Sequence, residues 1–152
     1  MKLLEDRLEI DSITVMVQKE VADRITAVPG EKSSGAITYS INYYAEAEKV
    51  VFVDKDSFIP SPEVNSEVIK LHIRKEPVVK VLNEEIFFKV IKASFMQRRK
   101  TLLNGLSNAG VLKNKEKLKE ILNNMGLNNE VRGETLTIEQ FAELANSIVK
   151  SI

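Results

Sequence analysis

The sequence predicts an α/β sheet followed by a small all-α domain, and the spacing of its apolar residues carries that prediction. Up to Pro77, short β-branched runs alternate with segments of helical spacing, as in a sheet that helices cover. After Pro77, apolar residues recur every three or four positions, which is typical of amphipathic helices. We therefore predict two domains, at residues 1–77 and 78–152.

Three strands and two helices are expected in the first domain. The run Ile13–Val17 is nearly continuous and β-branched, which indicates a strand buried on both faces, as in a parallel sheet. The other two strands are predicted at Lys49–Val53 and Glu67–Ile73, joined as a hairpin. Helical spacing predicts the two helices at Lys19–Ala27 and Gly35–Ala47.

Three helices are expected in the second domain, each beginning after a residue whose side chain can cap it. Asn83 is predicted to cap a long helix that reaches about Leu106. Asn114 is predicted to cap a second helix, closed by Gly126. Thr137 is predicted to cap the third.

Composition excludes several classes of protein. The chain has no cysteine, which rules out disulfides and zinc–thiolate sites. No apolar run approaches the ~20 residues that cross a bilayer. Acidic residues come early in Met1–Arg7 and no long apolar core follows, unlike a secretory signal. A cytoplasmic protein is the simplest interpretation.

The net charge of zero conceals an uneven distribution. Residues 1–77 contain 10 Lys/Arg and 14 Asp/Glu, whereas residues 78–152 contain 12 and 8. A basic second domain suits an anionic partner, although two unevenly charged solvated surfaces would give the same counts. The six glycines are scattered, and no Gly-rich turn of the kind that binds a nucleotide follows the first strand.

A proline-containing segment between the second and third strands is the first candidate for function. Pro60 and Pro62 are two residues apart, which excludes a central strand or a helix and predicts a stiff loop that runs on to Ser66. Phe58, at the start of this loop, is positioned either to stack on a nucleic-acid base or to cap the core of the hairpin.

The second candidate is a run of polar residues in the predicted long helix: Gln97, Arg98, Arg99 and Lys100. On that helix the three cations would fan across more than half of the circumference, with Arg98 and Arg99 on either side of the apolar stripe. Guanidinium groups held in this way suit phosphate binding. An exposed basic turn whose arginine stems only pack on the surface is the alternative.

These segments together resemble the bacterial small-subunit (16S) ribosomal RNA adenine N6,N6-dimethyltransferases. The matching segments occur in family order and extend over nearly all of residues 1–150: Val17–Arg24, Pro29-Gly30, Tyr43-Tyr44, Phe58–Ser66 and Phe95–Asn104. The resemblance implies the C-terminal part of a Rossmann-like methyltransferase sheet followed by a helical RNA-binding domain. It also implies a longer parent protein, of which this chain is a part. That parent would transfer methyl groups from S-adenosylmethionine to two adjacent adenines near the 3′ end of 16S RNA.

The resemblance implies a role for each candidate residue. Phe58 would form one wall around the target base, on a loop held by Pro60, Pro62 and Ser66, and the segment Gln97–Lys100 would contact the RNA. The family's Gly-rich turn, acidic ribose-binding residue and catalytic tetrapeptide are not found in this chain. We therefore expect no cofactor binding and no catalysis by this chain alone.

Two further expectations follow from the missing motifs. A non-catalytic RNA-binding or ribosome-assembly module is the alternative function. Self-association is also expected, because the strand Ile13–Val17 would lie at an uncovered edge of the sheet.

Overall fold

A computed structural model describes all residues from Met1 to Ile152, and the chain forms two compact units. Unit 1 contains Met1–Val28 and Ser33–Val78; unit 2 contains Pro29–Lys32 and Val79–Ile152. No helix is both long enough and apolar enough to cross a membrane.

Unit 1 is a three-stranded sheet with helices, which confirms the α/β prediction. Its elements in chain order are α1 (Lys2–Glu5), β1 (Ser12–Gln18), α2 (Lys19–Ile25), α3 (Ala36–Tyr44), β2 (Ala45–Val53), a 3₁₀ turn (Lys55–Ser57) and β3 (Ser66–Ile73). The strand order is β1-β3-β2, and β3 pairs antiparallel with both neighbours. The predicted hairpin between the second and third strands is confirmed as β2–β3.

The prediction for the first strand is wrong in two respects. β1 has one neighbour, β3, and the pairing is antiparallel rather than parallel. Most of its residues are exposed, including Val15 and Met16, rather than buried on both faces. The β-branched composition identified a strand, but composition alone does not supply the elements that would cover it.

The boundary between α3 and β2 also differs from the prediction. We predicted a helix over Gly35–Ala47, whereas α3 ends at Tyr44 and β2 begins at Ala45. Residues 45–49 are good helix formers, but each of them pairs with a residue of β3. Strand pairing therefore overrides local propensity in this segment.

Helices cover one face of the sheet in unit 1: α2 packs on all three strands and on α3, and α3 packs on β2. Ile69 and Leu71 of β3 point to that face and are buried, together with Ala22 and Ile25 of α2. Directly paired residues point to the same face of a sheet. Ile13 and Val15 of β1, which pair with Leu71 and Ile69, therefore share this face.

Unit 2 contains four helices and a second 3₁₀ turn. They are α4 (Glu84–Met96), α5 (Leu102–Asn108), α6 (Lys115–Asn124), the turn Gly133–Thr135 and α7 (Ile138–Ser151). The three predicted caps are confirmed: the side chains of Asn83, Asn114 and Thr137 each accept a hydrogen bond from a backbone N–H in the first turn of their helix. Gly126 follows α6 with a φ of 70°, the left-handed conformation that commonly ends a helix.

The predicted long helix from Asn83 to Leu106 is wrong. α4 ends at Met96, a turn follows, and Thr101 caps the separate helix α5 by accepting a hydrogen bond from the backbone N–H of Asn104. α5 packs back against α4, which a continuous helix could not do. Gly105 allows this approach, since a Cβ there would lie 3.3 Å from the carbonyl oxygen of Ala93.

Candidate nucleic-acid interface

The basic segment Gln97–Lys100 forms an exposed turn between α4 and α5. The backbone N–H of Lys100 donates to the carbonyl oxygen of Gln97 at 2.8 Å, which closes the turn. The Gln97 side chain accepts from the Asn108 amide at 3.3 Å, tying the turn to the end of α5. The predicted helical fan of cations is therefore wrong, and the turn instead presents Arg98, Arg99 and Lys100 on consecutive exposed positions.

An open depression accompanies these cations in unit 2. It is lined by Phe95 and Met96 from the end of α4 and by all four residues of the turn. Apolar surface thus lies directly beside positive charge. Nucleic acids present the complementary pair of features, since each nucleotide combines an apolar base face with a phosphate.

The sequence surrounding this turn contains no acidic residue over a long distance. Between Glu85 and Glu116 there are seven Lys/Arg and no Asp/Glu. Unit 2 as a whole carries 13 Lys/Arg against 9 Asp/Glu, a balance of +4, and unit 1 carries 9 against 13, a balance of −4. The positive charge of unit 2 is therefore concentrated in the segment that contains α4, the basic turn and α5.

The loop that carries Phe58 is anchored at both ends by side chains. The backbone N–H of Lys55 donates to the Asn65 side-chain oxygen at 2.9 Å, and the Ser61 hydroxyl donates to the Lys55 carbonyl at 3.1 Å. Ser66 is the first residue of β3 and pairs with Gln18 and Val53. Asn65 and Ser61 were not singled out as anchors from sequence, although amide and hydroxyl side chains commonly fix loops in this way.

Phe58 is half-buried at the end of the 3₁₀ turn, and no aromatic ring of the chain packs against its ring. Pro60 and Pro62 are exposed, as expected for a loop that projects from the sheet. The Phe58 side chain is thus partly buried in unit 1 and partly accessible to solvent. The two interpretations given for Phe58 from sequence both stay open.

A network of ion pairs connects α2 to the sheet, and sequence reasoning missed it. Asp23 of α2 accepts hydrogen bonds from Lys19, at 2.8 Å, and from Lys49 of β2. Lys49 also lies 3.5 Å from the carboxylate of Glu67 on β3. The hydrogen bonds from Lys19 and Lys49 lower the pKa of Asp23, and the hydrogen bond to Asp23 raises the pKa of Lys49.

The candidate residues fall into two groups. Phe58, Pro60, Pro62 and Ser66 lie together in unit 1, and the turn Gln97–Lys100 lies in unit 2. The structure contains no cluster of three His, Cys, Asp or Glu side chains that could hold a metal ion.

S-adenosylmethionine, which the resemblance implies for the parent, does not fit the residues of this chain. Such cofactors bind where a Gly-rich turn joins a strand to a helix. Here β1 passes directly into α2 at Gln18-Lys19, without an intervening turn or a glycine.

Comparison with known proteins gave a consistent result. The family model described as "Ribosomal RNA adenine dimethylase" matches residues 1–146. Proteins named ribosomal RNA small subunit methyltransferase A from Bacillus cytotoxicus, Bacillus cereus and Bacillus anthracis are each 49% identical over 150 residues. These matches take in 97% of this chain and 51% of each relative, so the chain spans about half the length of the curated relatives it matches.

Two solved structures share the fold. A dimethyladenosine transferase from Plasmodium falciparum superposes with a TM-score of 0.76 at 22% identity, over 94% of this chain and 58% of that protein. The 23S rRNA methyltransferase ErmE superposes with a TM-score of 0.64 at 20% identity, over 97% of this chain and 59% of that protein. The fold of this chain is therefore that of a corresponding portion of Rossmann-like rRNA methyltransferases.

Proposed function

Because this chain belongs to the ribosomal RNA adenine dimethylase family, we propose that it is the C-terminal, RNA-contacting part of a 16S rRNA adenine N6,N6-dimethyltransferase. The parent protein would methylate two adjacent adenines near the 3′ end of 16S RNA with S-adenosylmethionine. This chain would supply contacts to the target base and to the rRNA, without the cofactor site.

The exposed basic turn is the observation that carries the RNA-binding role. Arg98, Arg99 and Lys100 protrude from a segment without acidic residues, beside the apolar surface of Met96. Phosphate contacts supply most of the sequence-independent affinity for nucleic acid, and arginine can contact phosphate through two parallel hydrogen bonds. We assign phosphate contacts to the two arginines and Lys100, and an adjacent scaffolding contact to Gln97.

Phe58 is proposed as the contact to the target base. It is partly exposed on a loop fixed by Asn65 and Ser61, and we assign the stacking contact with an adenine to the exposed part of its ring. The adenine has to leave its stack before its exocyclic amine can react, and a fixed aromatic wall would stabilise that extruded state.

RNA binding by this chain tests the proposal directly. A hairpin with the two adjacent adenines of the 16S 3′ end should bind, with an affinity that falls as salt rises. The double variant Arg98→Ala/Arg99→Ala should bind more weakly, and its slope of log K against log salt should be shallower by roughly 1.4–1.8, or 0.7–0.9 per lost phosphate contact.

A matched control removes two cations of unit 2 outside the turn. Lys113 and Lys150 are exposed and make no ion pair, so Lys113→Ala/Lys150→Ala lowers the net charge equally. The control should keep nearly all of the salt dependence. Equal slopes for the two double variants, with both proteins folded, would reduce Arg98 and Arg99 to ordinary surface residues.

A non-catalytic RNA-binding or ribosome-assembly module is the second candidate. The exposed basic turn favours it, because phosphate contacts from Arg98, Arg99 and Lys100 do not require a bound cofactor. Joining this chain to the remaining half of a Bacillus relative distinguishes the two candidates. Methylation of unmodified 16S RNA by the fusion supports the enzyme part, whereas RNA binding without methylation supports the module.

A further inference from the structure

Asn65 is the last residue of the loop between β2 and β3, and its two oxygens are bound by different elements. Its backbone carbonyl accepts a hydrogen bond from the N–H of Lys19, the first residue of α2, at 2.9 Å. Its side-chain oxygen accepts from the backbone N–H of Lys55 at 2.9 Å. Asn65 therefore connects the beginning of α2 to the opposite end of the loop, ten positions earlier in the chain.

Lys55 extends this connection to Phe58 through its backbone. The N–H of Phe58 donates to the Lys55 carbonyl at 3.3 Å, and that carbonyl also accepts from the Ser61 hydroxyl at 3.1 Å. Both polar groups of the Lys55 backbone are thus bound, the N–H by Asn65 and the C=O by the segment that carries the ring. The Asn65 side chain is therefore only two hydrogen bonds away from the backbone of Phe58.

The α2 end of this connection belongs to a framework that several interactions hold together. Asp23 of α2 accepts a hydrogen bond from Lys49 of β2, and Lys49 lies 3.5 Å from the carboxylate of Glu67 on β3. α2 also packs on all three strands of the sheet. The N–H of Lys19 is thus part of a helix that is fixed to the sheet, so the Asn65 carbonyl is held independently of the loop.

We propose that Asn65 is a positioning residue for base recognition, whose side chain holds the Phe58 loop in the conformation that stacks on the target adenine. This inference rests on the proposed function, in which Phe58 contacts that base. A loop that is mobile in the free protein has to be ordered on binding, and this ordering lowers the affinity. The hydrogen bond from Lys55 to Asn65 orders the loop in the free protein, so binding requires no further ordering there.

The Asn65 side chain suits this role because the rest of unit 1 is held without it. β2 and β3 pair through their backbones as far as Val53 and Ser66, and the bond from Lys19 uses the Asn65 backbone rather than its side chain. Both interactions remain possible when Asn65 is replaced by alanine. Asn65→Ala should therefore release the loop at Lys55 while the sheet and α2 stay folded, which urea unfolding would verify.

Two RNA hairpins measure base recognition by this chain. Both contain the sequence around the two adjacent adenines of the 16S 3′ end, and in one of them abasic sites replace these adenines. If Phe58 stacks on the base, the adenine hairpin should bind more tightly by roughly 5- to 150-fold, the factor that one stacked base supplies. Asn65→Ala should reduce this ratio of dissociation constants by roughly two- to tenfold, the net contribution of one hydrogen bond.

A second readout separates positioning from a general loss of RNA binding. The phosphate contacts assigned to the turn Gln97–Lys100 do not involve the loop. Asn65→Ala should therefore leave the slope of log K against log salt unchanged. In a Phe58→Ala background, Asn65→Ala should have no further effect on the ratio of dissociation constants, because Asn65 acts through that ring.

Two further variants serve as rescue and control. Asn65→Asp keeps an acceptor oxygen for the N–H of Lys55, so it should keep the ratio close to that of the unchanged chain. Asn128→Ala is the matched control, because the Asn128 side chain also accepts a backbone N–H at 2.9 Å, from Glu130 in unit 2. This variant should leave the ratio unchanged.

The outcomes distinguish this inference from the function on which it rests. Equal affinity of the unchanged chain for the two hairpins would refute the base contact proposed for Phe58, and the inference with it. A ratio that is lost in Phe58→Ala but kept in Asn65→Ala would refute the positioning role alone. The same conclusion would follow from loss of the ratio in Asn65→Asp, an equal loss in Asn128→Ala, or an Asn65→Ala variant that does not fold.

Discussion

A methyl group added at Gly133 should destabilise unit 2 through one defined contact. A Cβ at this position would lie 2.6 Å from the Cβ of Ser94 on α4, closer than real Cβ atoms approach. Its next neighbour would be the Ser94 carbonyl oxygen at 3.3 Å. Both neighbours belong to the framework of a helix, so the 3₁₀ turn Gly133–Thr135 and α4 would have to move apart.

The size of the effect follows from two opposing terms. Overpacking of this kind costs ~1–3 kcal/mol. Replacing glycine with alanine also stiffens the unfolded chain, which returns ~0.4–1 kcal/mol where the backbone is unstrained. Gly133 has no positive φ, so both terms apply. Because a Cβ–Cβ approach of 2.6 Å puts the overpacking cost near the upper end of its range, we expect Gly133→Ala to lower the free energy of unfolding by roughly 2 kcal/mol.

Urea unfolding monitored by circular dichroism measures this change in the free energy of unfolding. A double-mutant cycle isolates the contact between Gly133→Ala and Ser94. Ser94→Gly removes the facing Cβ, so Gly133→Ala should cost far less in that background. Ser94→Gly is itself destabilising, because glycine is a poor helix former and the Ser94 hydroxyl bonds the carbonyl of Val90 at 2.7 Å. Additive effects of the two changes, or a Gly133→Ala variant as stable as the unchanged chain, would refute the steric argument.

Three other changes test separate parts of the structure. In the full-length parent or in the fusion described above, Phe58→Ala should slow methylation by roughly ten- to a hundredfold, because it loses ~1–3 kcal/mol of stacking. Phe58→Tyr keeps the ring and should change the rate of methylation only slightly. If the Ala variant does not fold, Phe58 belongs to the core instead. Asp23→Asn should cost about 0.2–1 kcal/mol of stability in urea unfolding at pH 7, the range of exposed ion pairs. The pKa of Asp23 is lowered from 3.8, so this stability difference should persist above pH 3.8 and vanish as the pH falls through the lowered pKa. The pKa of Lys49 is raised from 10.5, so the stabilisation from its ion pair should persist up to pH 10.5 and be lost only as the pH rises through the raised pKa. Thr137→Ala should cost ~1 kcal/mol in thermal or urea unfolding, because Thr137 and Gln140 cap α7 reciprocally; an unchanged stability would show that the cap is dispensable.

Local signals predicted the parts of the fold that local interactions determine. Asn83, Asn114 and Thr137 cap their helices through their own side chains, so each start could be identified from a few neighbouring residues. Phe141 and Leu144 recur at helical spacing in the last helix, and both are fully buried. Helical spacing and capping chemistry were sufficient at these positions.

The errors occur where contacts distant in sequence decide the structure. Apolar spacing through Phe95, Leu102 and Leu106 suits one straight helix, and the residues between them tolerate helix. The break is explained by Thr101 as a cap and by Gly105, whose missing side chain lets α5 approach α4. That approach is a tertiary contact, so a helical wheel could not reveal it.

The candidate site was predicted in part for the same reason. The basic segment and the Phe58 loop were found because their residue types are unusual in sequence. The hydrogen bond between Lys55 and Asn65 joins the two ends of a loop, and the contact of Asp23 with Lys49 joins a helix to a strand 26 residues away. Neither pairing has a local pattern that would predict it.

The opposite charges of the two units have a practical consequence for handling the protein. Balances of −4 and +4 cancel in the isoelectric point of about 6.6, which describes the chain only as a whole. At physiological ionic strength the Debye length is about 8 Å, so a charged resin senses the nearest surface rather than the net charge. Near pH 7 the protein should therefore be retained by cation exchangers through unit 2 and by anion exchangers through unit 1.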